Sequence, residues 1–107
     1  MKELTVLEQI ILAAILSLKD DAYGVSVRKK VKKLTGKSIM YGTLYNALDQ
    51  MFRKGYVTKR KSSSESGRNN RIYYALTCQG KKSLQAAYML QKSIWTSIPE
   101  FIRNNEV

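Results

Sequence analysis

The hydrophobic spacing of this chain changes at Gly55 and changes back at Thr77, and this double switch limits its possible folds more than any other feature. Before Gly55 the apolar residues recur at helical intervals. Leu7, Ile10, Ile11, Ala14, Ile15 and Leu18 fall at i, i+3, i+4, i+7, i+8 and i+11, one face of a helix over residues 5–18. Leu12, Ala13 and Leu16 add a second apolar side, so burial from more than one direction is expected, inside the domain or at a subunit contact. Thr5 and Glu8 have the capping-box spacing, each able to satisfy an orphan amide. A second helix over residues 24–34 points Val27, Val31 and Leu34 inward, surrounds them with Arg28, Lys29, Lys30, Lys32 and Lys33, and stops at Gly36. A third, over residues 40–54 with Ser38 as its expected cap, turns Leu44, Leu48, Met51 and Phe52 inward. Its outer face carries Thr43, Asn46, Asp49, Gln50 and Arg53.

Residues 56–61 and 71–76 are rich in β-branched and aromatic side chains and read as strands. The polar stretch 62–70 between them reads as the long tip of a hairpin. Tyr73 and Tyr74 fall on opposite faces, one for the core and one for a groove or helix contact. Thr77 caps a last helix that begins at Cys78, expected as a buried or half-buried thiol, and runs toward Ser97 before Pro99. Three helices followed by a hairpin with a basic loop is the order of a winged helix-turn-helix. The expected fold class is therefore mainly α with a small β-hairpin. Residues 1–76 form the winged helix-turn-helix, and residues 77–107 form a C-terminal dimerisation helix and tail.

Charge gives this fold a partner. The 107 residues carry 19 Lys and Arg against 8 Asp and Glu, a net of +11. Residues 28–82 hold 15 of the cations and only two acids, Asp49 and Glu65, a net of +13, while the rest of the chain is slightly acidic. A cationic middle beside a polar reading face favours duplex DNA over the other polyanion, an acidic membrane surface. With no His and one Cys, neither an intramolecular disulfide, a soft-ligand zinc site nor a Ser-His or Cys-His pair can be assembled. Neither an enzyme nor a cofactor is expected. The apolar run 10–18 is too short for a membrane span, and a cytoplasmic location is expected.

The expected DNA-binding residues are Lys37, Ser38, Tyr41, Thr43, Tyr45, Asn46, Arg53, Arg60, Lys61, Arg68, Asn69, Asn70 and Arg71. Thr43 and Asn46 are short polar groups able to reach base edges; the cations suit phosphates. Tyr45 is expected to pack and to contact DNA. Lys32 and Lys33 read as a solvated face, with Lys29 and Lys30 open between that and phosphate contact. The last helix has a wide apolar face with no later element to cover it. Pairing it with the first helix across a two-fold axis is expected to bury Leu7, Ile10, Ile11, Ala14, Leu84, Ala87, Tyr88, Gln91, Ile94, Trp95 and Ile98.

Several strings add a resemblance. Tyr23-Gly24, Gly42-Thr43-Leu44-Tyr45 with Leu48, Gly55-Tyr56-Val57, and Gly67-Arg68 followed by Arg71, Tyr73-Tyr74, Leu76-Thr77 and Gly80 together resemble the PadR family of bacterial transcriptional regulators. The resemblance implies a homodimer that binds operator DNA, represses nearby genes and, in some members, is released by a small molecule. The chain stops soon after Pro99 and so resembles the short members with a single C-terminal helix. Some of these sense drugs in an apolar pocket at the dimer interface, lined by a Trp of that helix. Trp95 falls about one turn later than that Trp, and Gln91 takes the nearer position. Two other readings fit the same residues: a sequence-blind architectural DNA-binding protein, and a sensor with a dimer pocket for a small aromatic effector.

Overall fold

A reciprocal cap begins the first helix, α1 (Val6–Leu18). The Glu8 amide donates to Thr5 Oγ1 at 3.1 Å, and the Thr5 amide donates to Glu8 Oε1 at 2.9 Å. The computed structural model describes residues 3–62 and 71–104. The middle of α1 enters the chain's own core, where Ile11, Leu12, Ala14 and Ile15 are buried, while Ala13 is half-buried and Leu16 exposed. This corrects the expectation for Ile11 and Ala14. They are not contact surface, because α1 lies centrally and packs against α2 (Gly24–Thr35), α3 (Tyr41–Arg53), β2 (Arg71–Leu76) and α4 (Cys78–Thr96).

A 3-10 turn, Lys19–Asp21, leads into α2. Val27 and Val31 are buried, but Leu34 is exposed, contrary to expectation, because the helix has run past the core by its last turn. Gly36 ends the helix in the left-handed region at φ 76°, a conformation that costs glycine little, and its amide donates to Lys32 O at 2.7 Å. Met40, not Ser38, occupies the cap position of α3, and no side chain caps that helix. Leu44, Leu48 and Met51 are buried; Phe52 is exposed, with the Lys59 ammonium 4.5 Å from its ring centre.

Strand β1 (Val57–Ser62) pairs antiparallel with β2, from Val57 opposite Leu76 to Ser62 opposite Arg71. Tyr23 bridges Tyr73 on the other edge of β2, and the Tyr74 amide donates to Ala22 O at 2.8 Å. The start of α2 is thereby hydrogen-bonded to the hairpin. Of the two adjacent tyrosines, Tyr74 is buried and Tyr73 is half-buried against Tyr23. Burial, reinforced by Tyr45 and Asp49, pushes the Tyr74 phenol above its ordinary pKa.

Thr77 caps α4 by accepting from the Gly80 amide at 3.0 Å, and its hydroxyl donates to Gly55 O at 2.6 Å. Cys78 is exposed instead of buried, since the first turn of α4 turns its other side, at Gly80, onto the Tyr56 backbone. Leu84 and Ala87 pack at the edge of the core. Beyond them α4 extends outward, giving a long dimension of 55 Å, and Pro99 precedes a last turn, α5 (Glu100–Arg103).

One ion pair ties the end of α3 to the start of α1. Lys54 Nζ donates to Glu8 Oε2 at 3.0 Å, and the Glu8 side chain is only 9% exposed. Burial alone would raise the carboxyl pKa, but the Thr5 amide and the Lys54 ammonium outweigh it and hold the pKa below its ordinary value. A depressed folded-state pKa gives stability that is present above the unfolded value and is lost as pH falls through the folded one. Urea unfolding across a pH series is expected to show wild type more stable than Glu8→Gln at neutral pH, with the gap closing below the carboxylate range. A gap independent of pH contradicts this account.

Candidate nucleic-acid interface

Helical geometry divides α3 into two faces. With Leu44, Leu48 and Met51 buried, the line opposite them carries Gly42, Asn46, Asp49, Gln50 and Arg53. Thr43 flanks this line on one side, and Tyr41, Tyr45 and Phe52 flank it on the other. The short polar groups are thus on or beside the outermost ridge, where nothing among the described residues covers them. Thr43 and Asn46 are both exposed, which leaves their side-chain donors and acceptors free for base edges.

The tyrosine flank is built with care. Tyr41 and Tyr45 stack with centroids 6.1 Å apart, and the Arg28 guanidinium lies 4.5 Å from the Tyr41 ring centre. Arg28 Nε also donates to Ile39 O at 2.6 Å, so one arginine of α2 secures both the turn into α3 and the first tyrosine. The sequence places Arg28 among the cations around the inner stripe of α2 and gives it no role of its own. The only hint was that it is the single arginine among them, and arginine alone combines a planar fork with affinity for ring faces. Tyr45 is 46% exposed, yet its hydroxyl rests where a Gly24 Cβ would stand. Gly24 therefore lets the start of α2 approach α3, and Tyr45 both packs and presents a free edge.

The cations differ in how they are held. Asp49 accepts from Arg53 at 2.8 Å and lies 3.6 Å from Lys59 Nζ, which ties the end of α3 to β1. Arg53 is exposed but already paired, a surface ion pair of little net stability that a phosphate can replace. Arg60 and Arg71 project from the hairpin, exposed, and rest on tyrosine rings at 4.8 Å (Tyr73) and 4.2 Å (Tyr23). Lys37, Ser38 and Lys61 are exposed. Lys37 and Ser38 lie in the turn before α3, and Lys61 lies near the end of β1. Arg68, Asn69 and Asn70, expected at the hairpin tip, lie outside the described residues.

The other expected surface is on α4. Tyr88 is 60% exposed and Trp95 49%, with Met89, Leu90 and Ile94 similarly uncovered. Leu7, Ile10, Leu84, Ala87, Gln91 and Ile98 are half-buried beside them. Two grooves flank the helix. One of about 360 Å³ is lined by Leu4, Gln9, Ala87, Leu90, Gln91 and Ile94; another of about 440 Å³ by Ile10, Ala13, Leu34, Leu84, Tyr88 and Gln91. Gln91 lines both, whereas Trp95 lines neither; its indole Nε1 donates to Gln91 Oε1 at 3.3 Å. No helix among the described residues is long and apolar enough to cross a membrane.

Comparison with known proteins agrees with this architecture. A PadR family transcription regulator from Clostridium difficile is 29% identical, with a TM-score of 0.74 over 89% of this chain and 97% of that one. A PadR-like transcriptional regulator from Bacillus cereus is 25% identical, with a TM-score of 0.75 over 91% of each chain. A PadR-like transcription factor from Bacteroides fragilis is 26% identical, with a TM-score of 0.70 over 85% of this chain and 84% of that one. A comparison with curated proteins finds no match. Residues 11–86 match the Transcriptional regulator PadR-like family, and they include α2, α3 and both strands. The chain belongs to the PadR-like family of transcriptional regulators.

Proposed function

We propose that the chain is a repressor that binds an inverted-repeat operator in duplex DNA as a homodimer. The observation that carries this reading is the exposed ridge of α3, with Thr43 and Asn46 on a helix whose opposite side is fully buried. In such a docking α3 enters the major groove, and the hairpin forms the wing that follows the flanking backbone. Arg53, Arg60, Lys61 and Arg71 neutralise phosphates, and Tyr41 and Tyr45 border the groove. The uncovered apolar face of α4 supports pairing between two copies, which sets the two α3 helices about one DNA turn, ~34 Å, apart. The grooves beside α4 support a second element of the reading, release by a small aromatic effector.

The test is a titration of the protein with an operator recovered by selection and with random duplex, at several salt concentrations. The selected sites are expected to be inverted repeats, and each phosphate contact adds about −0.9 to the slope of log K against log salt. Thr43→Ala or Asn46→Ala is expected to cost about 1–3 kcal/mol on the selected operator and little on random duplex. Equal binding to both duplexes, unaffected by either substitution, favours the sequence-blind architectural reading instead. A flat salt slope contradicts DNA binding altogether. Quenching of Trp95 by planar aromatic compounds, together with loss of operator affinity, supports the effector, whereas quenching without that loss counts against it.

A further inference from the structure

Some cations of this molecule are held by carboxylates and others by aromatic rings; Lys59, beside both Asp49 and Phe52, has both. Lys54 is paired with Glu8, and Arg53 and Lys59 with Asp49. Among the described residues, Arg60 and Arg71 are in no ion pair; aromatic rings hold them instead. Their rings belong to one continuous ladder. Arg60 of β1 faces its cross-strand partner Tyr73, with the guanidinium carbon 4.8 Å from the ring centre. Tyr73 meets Tyr23 edge-on, with centroids 5.7 Å apart and planes at 68°. Tyr23 in turn lies beneath Arg71, 4.2 Å from the ring centre. The order Arg60, Tyr73, Tyr23, Arg71 crosses three backbone segments: β1, β2 and the start of α2.

We infer that Tyr23 and Tyr73 are positioning residues for DNA binding, holding Arg71 and Arg60 at the base of the wing in the posture in which they meet the phosphate backbone. This rests on the duplex-binding reading above. Three physical reasons carry it. A guanidinium seated over a ring spends none of its N–H donors on that contact; Arg71 gives one to the Tyr73 side chain, and the others remain for phosphate oxygens. A guanidinium held by a ring keeps its full charge toward a polyanion, whereas one neutralised by a carboxylate must first exchange partners. A long side chain already ordered in the free protein loses less rotamer freedom on binding.

Placement adds a further reason. Tyr23 immediately precedes Gly24, where the Tyr45 hydroxyl of α3 packs against the start of α2. The backbone bridge between Tyr23 and Tyr73 joins the same point to β2. The ladder therefore fixes the wing base to the segment on which α3 also rests, and the two arginines keep a set position relative to the reading helix.

A double-mutant cycle tests this. The probe is a labelled random-sequence duplex, because phosphate contacts do not depend on base sequence. Thermal unfolding checks that each variant is folded. Tyr23→Leu is expected to weaken duplex binding roughly threefold to tenfold, and Tyr23→Phe, which keeps the ring, to bind like wild type. In an Arg71→Gln background, Tyr23→Leu is expected to have no further effect. Equal losses in both backgrounds, or no loss from Tyr23→Leu, overturn the inference. Where Tyr23→Leu does not fold, the same cycle with Tyr73→Leu in a background carrying both Arg60→Gln and Arg71→Gln decides it by the same outcomes, since Tyr73 holds Arg60 by its ring and Arg71 by a hydrogen bond. A wild-type chain that does not bind duplex overturns the DNA reading and this inference together; binding with an additive cycle overturns this inference alone.

Discussion

Leu48→Ala is expected to lower the unfolding free energy by about 2–5 kcal/mol, and the melting temperature by roughly 10–20 °C. Leu48 is fully buried in α3, between Leu44 and Met51 on the same inward stripe. Truncation removes its contacts with the core and leaves a cavity that surrounding helices close only in part. The effect should reach DNA binding, because the exposed ridge of α3 is placed by its buried stripe. Thermal and urea unfolding measure the first effect. Duplex binding near the new melting temperature measures the second. A loss below about 1 kcal/mol would show that α3 is less firmly seated than its burial indicates.

Gly80→Ala is the other large effect. A Cβ at Gly80 would overlap the Tyr56 carbonyl, a backbone atom that cannot swing aside. The Tyr56 amide donates to Met51 O at 2.9 Å, and its carbonyl accepts from the Thr77 amide at 3.0 Å, so both its neighbours are committed. Helix α4 must then shift away from the hairpin. The expected cost is about 1–3 kcal/mol, the usual range for overpacking, although alanine is the better helix former. Gly42→Ala is the control, since no other described residue comes within 4 Å of a Cβ there apart from its chain neighbours and its own helix, and it is expected to leave stability unchanged or slightly raised. On the proposed pairing of two copies through the uncovered apolar face of α4, sedimentation is expected to show weaker self-association for Gly80→Ala than for wild type. Equal melting temperatures for Gly80→Ala and wild type would refute the close-approach argument.

Much of this architecture is readable in the residues. The reciprocal cap at Thr5 and Glu8, the stop at Gly36, the inward stripe of α3 and the cap at Thr77 all depend on contacts between neighbours in sequence, which spacing reveals. The alternation of Tyr73 and Tyr74 followed from the two-residue period of a strand. Spacing was less informative where an element ends or meets a distant one. Phe52 lies at the edge of the inward stripe of α3, and only the position of Lys59 on β1 shows that it stays outside. Leu34 continues the stripe of α2, but the core has ended before it.

The candidate site divides in the same way. The ridge of α3 and the cationic middle were visible because helical period and charge are properties of the sequence. The roles of Arg28, Tyr23 and Tyr73 were not, since each depends on a partner that folding brings near: Ile39 and Tyr41 for Arg28, Arg71 for Tyr23, and Arg60 for Tyr73. Sequence alone determined the order of the helices and strands from α1 to α4, the family strings and the middle of the inward stripe of α2 and of α3. These follow from local sterics and from the period at which apolar residues must recur to share one surface. Tertiary structure alone decided that Ile11, Leu12, Ala14 and Ile15 of α1 are buried within one chain, that Glu8 reaches Lys54, and which cations meet carboxylates, rings or both. Those outcomes depend on the relative placement of elements far apart in sequence, and the spacing of residues along the chain carries no record of it.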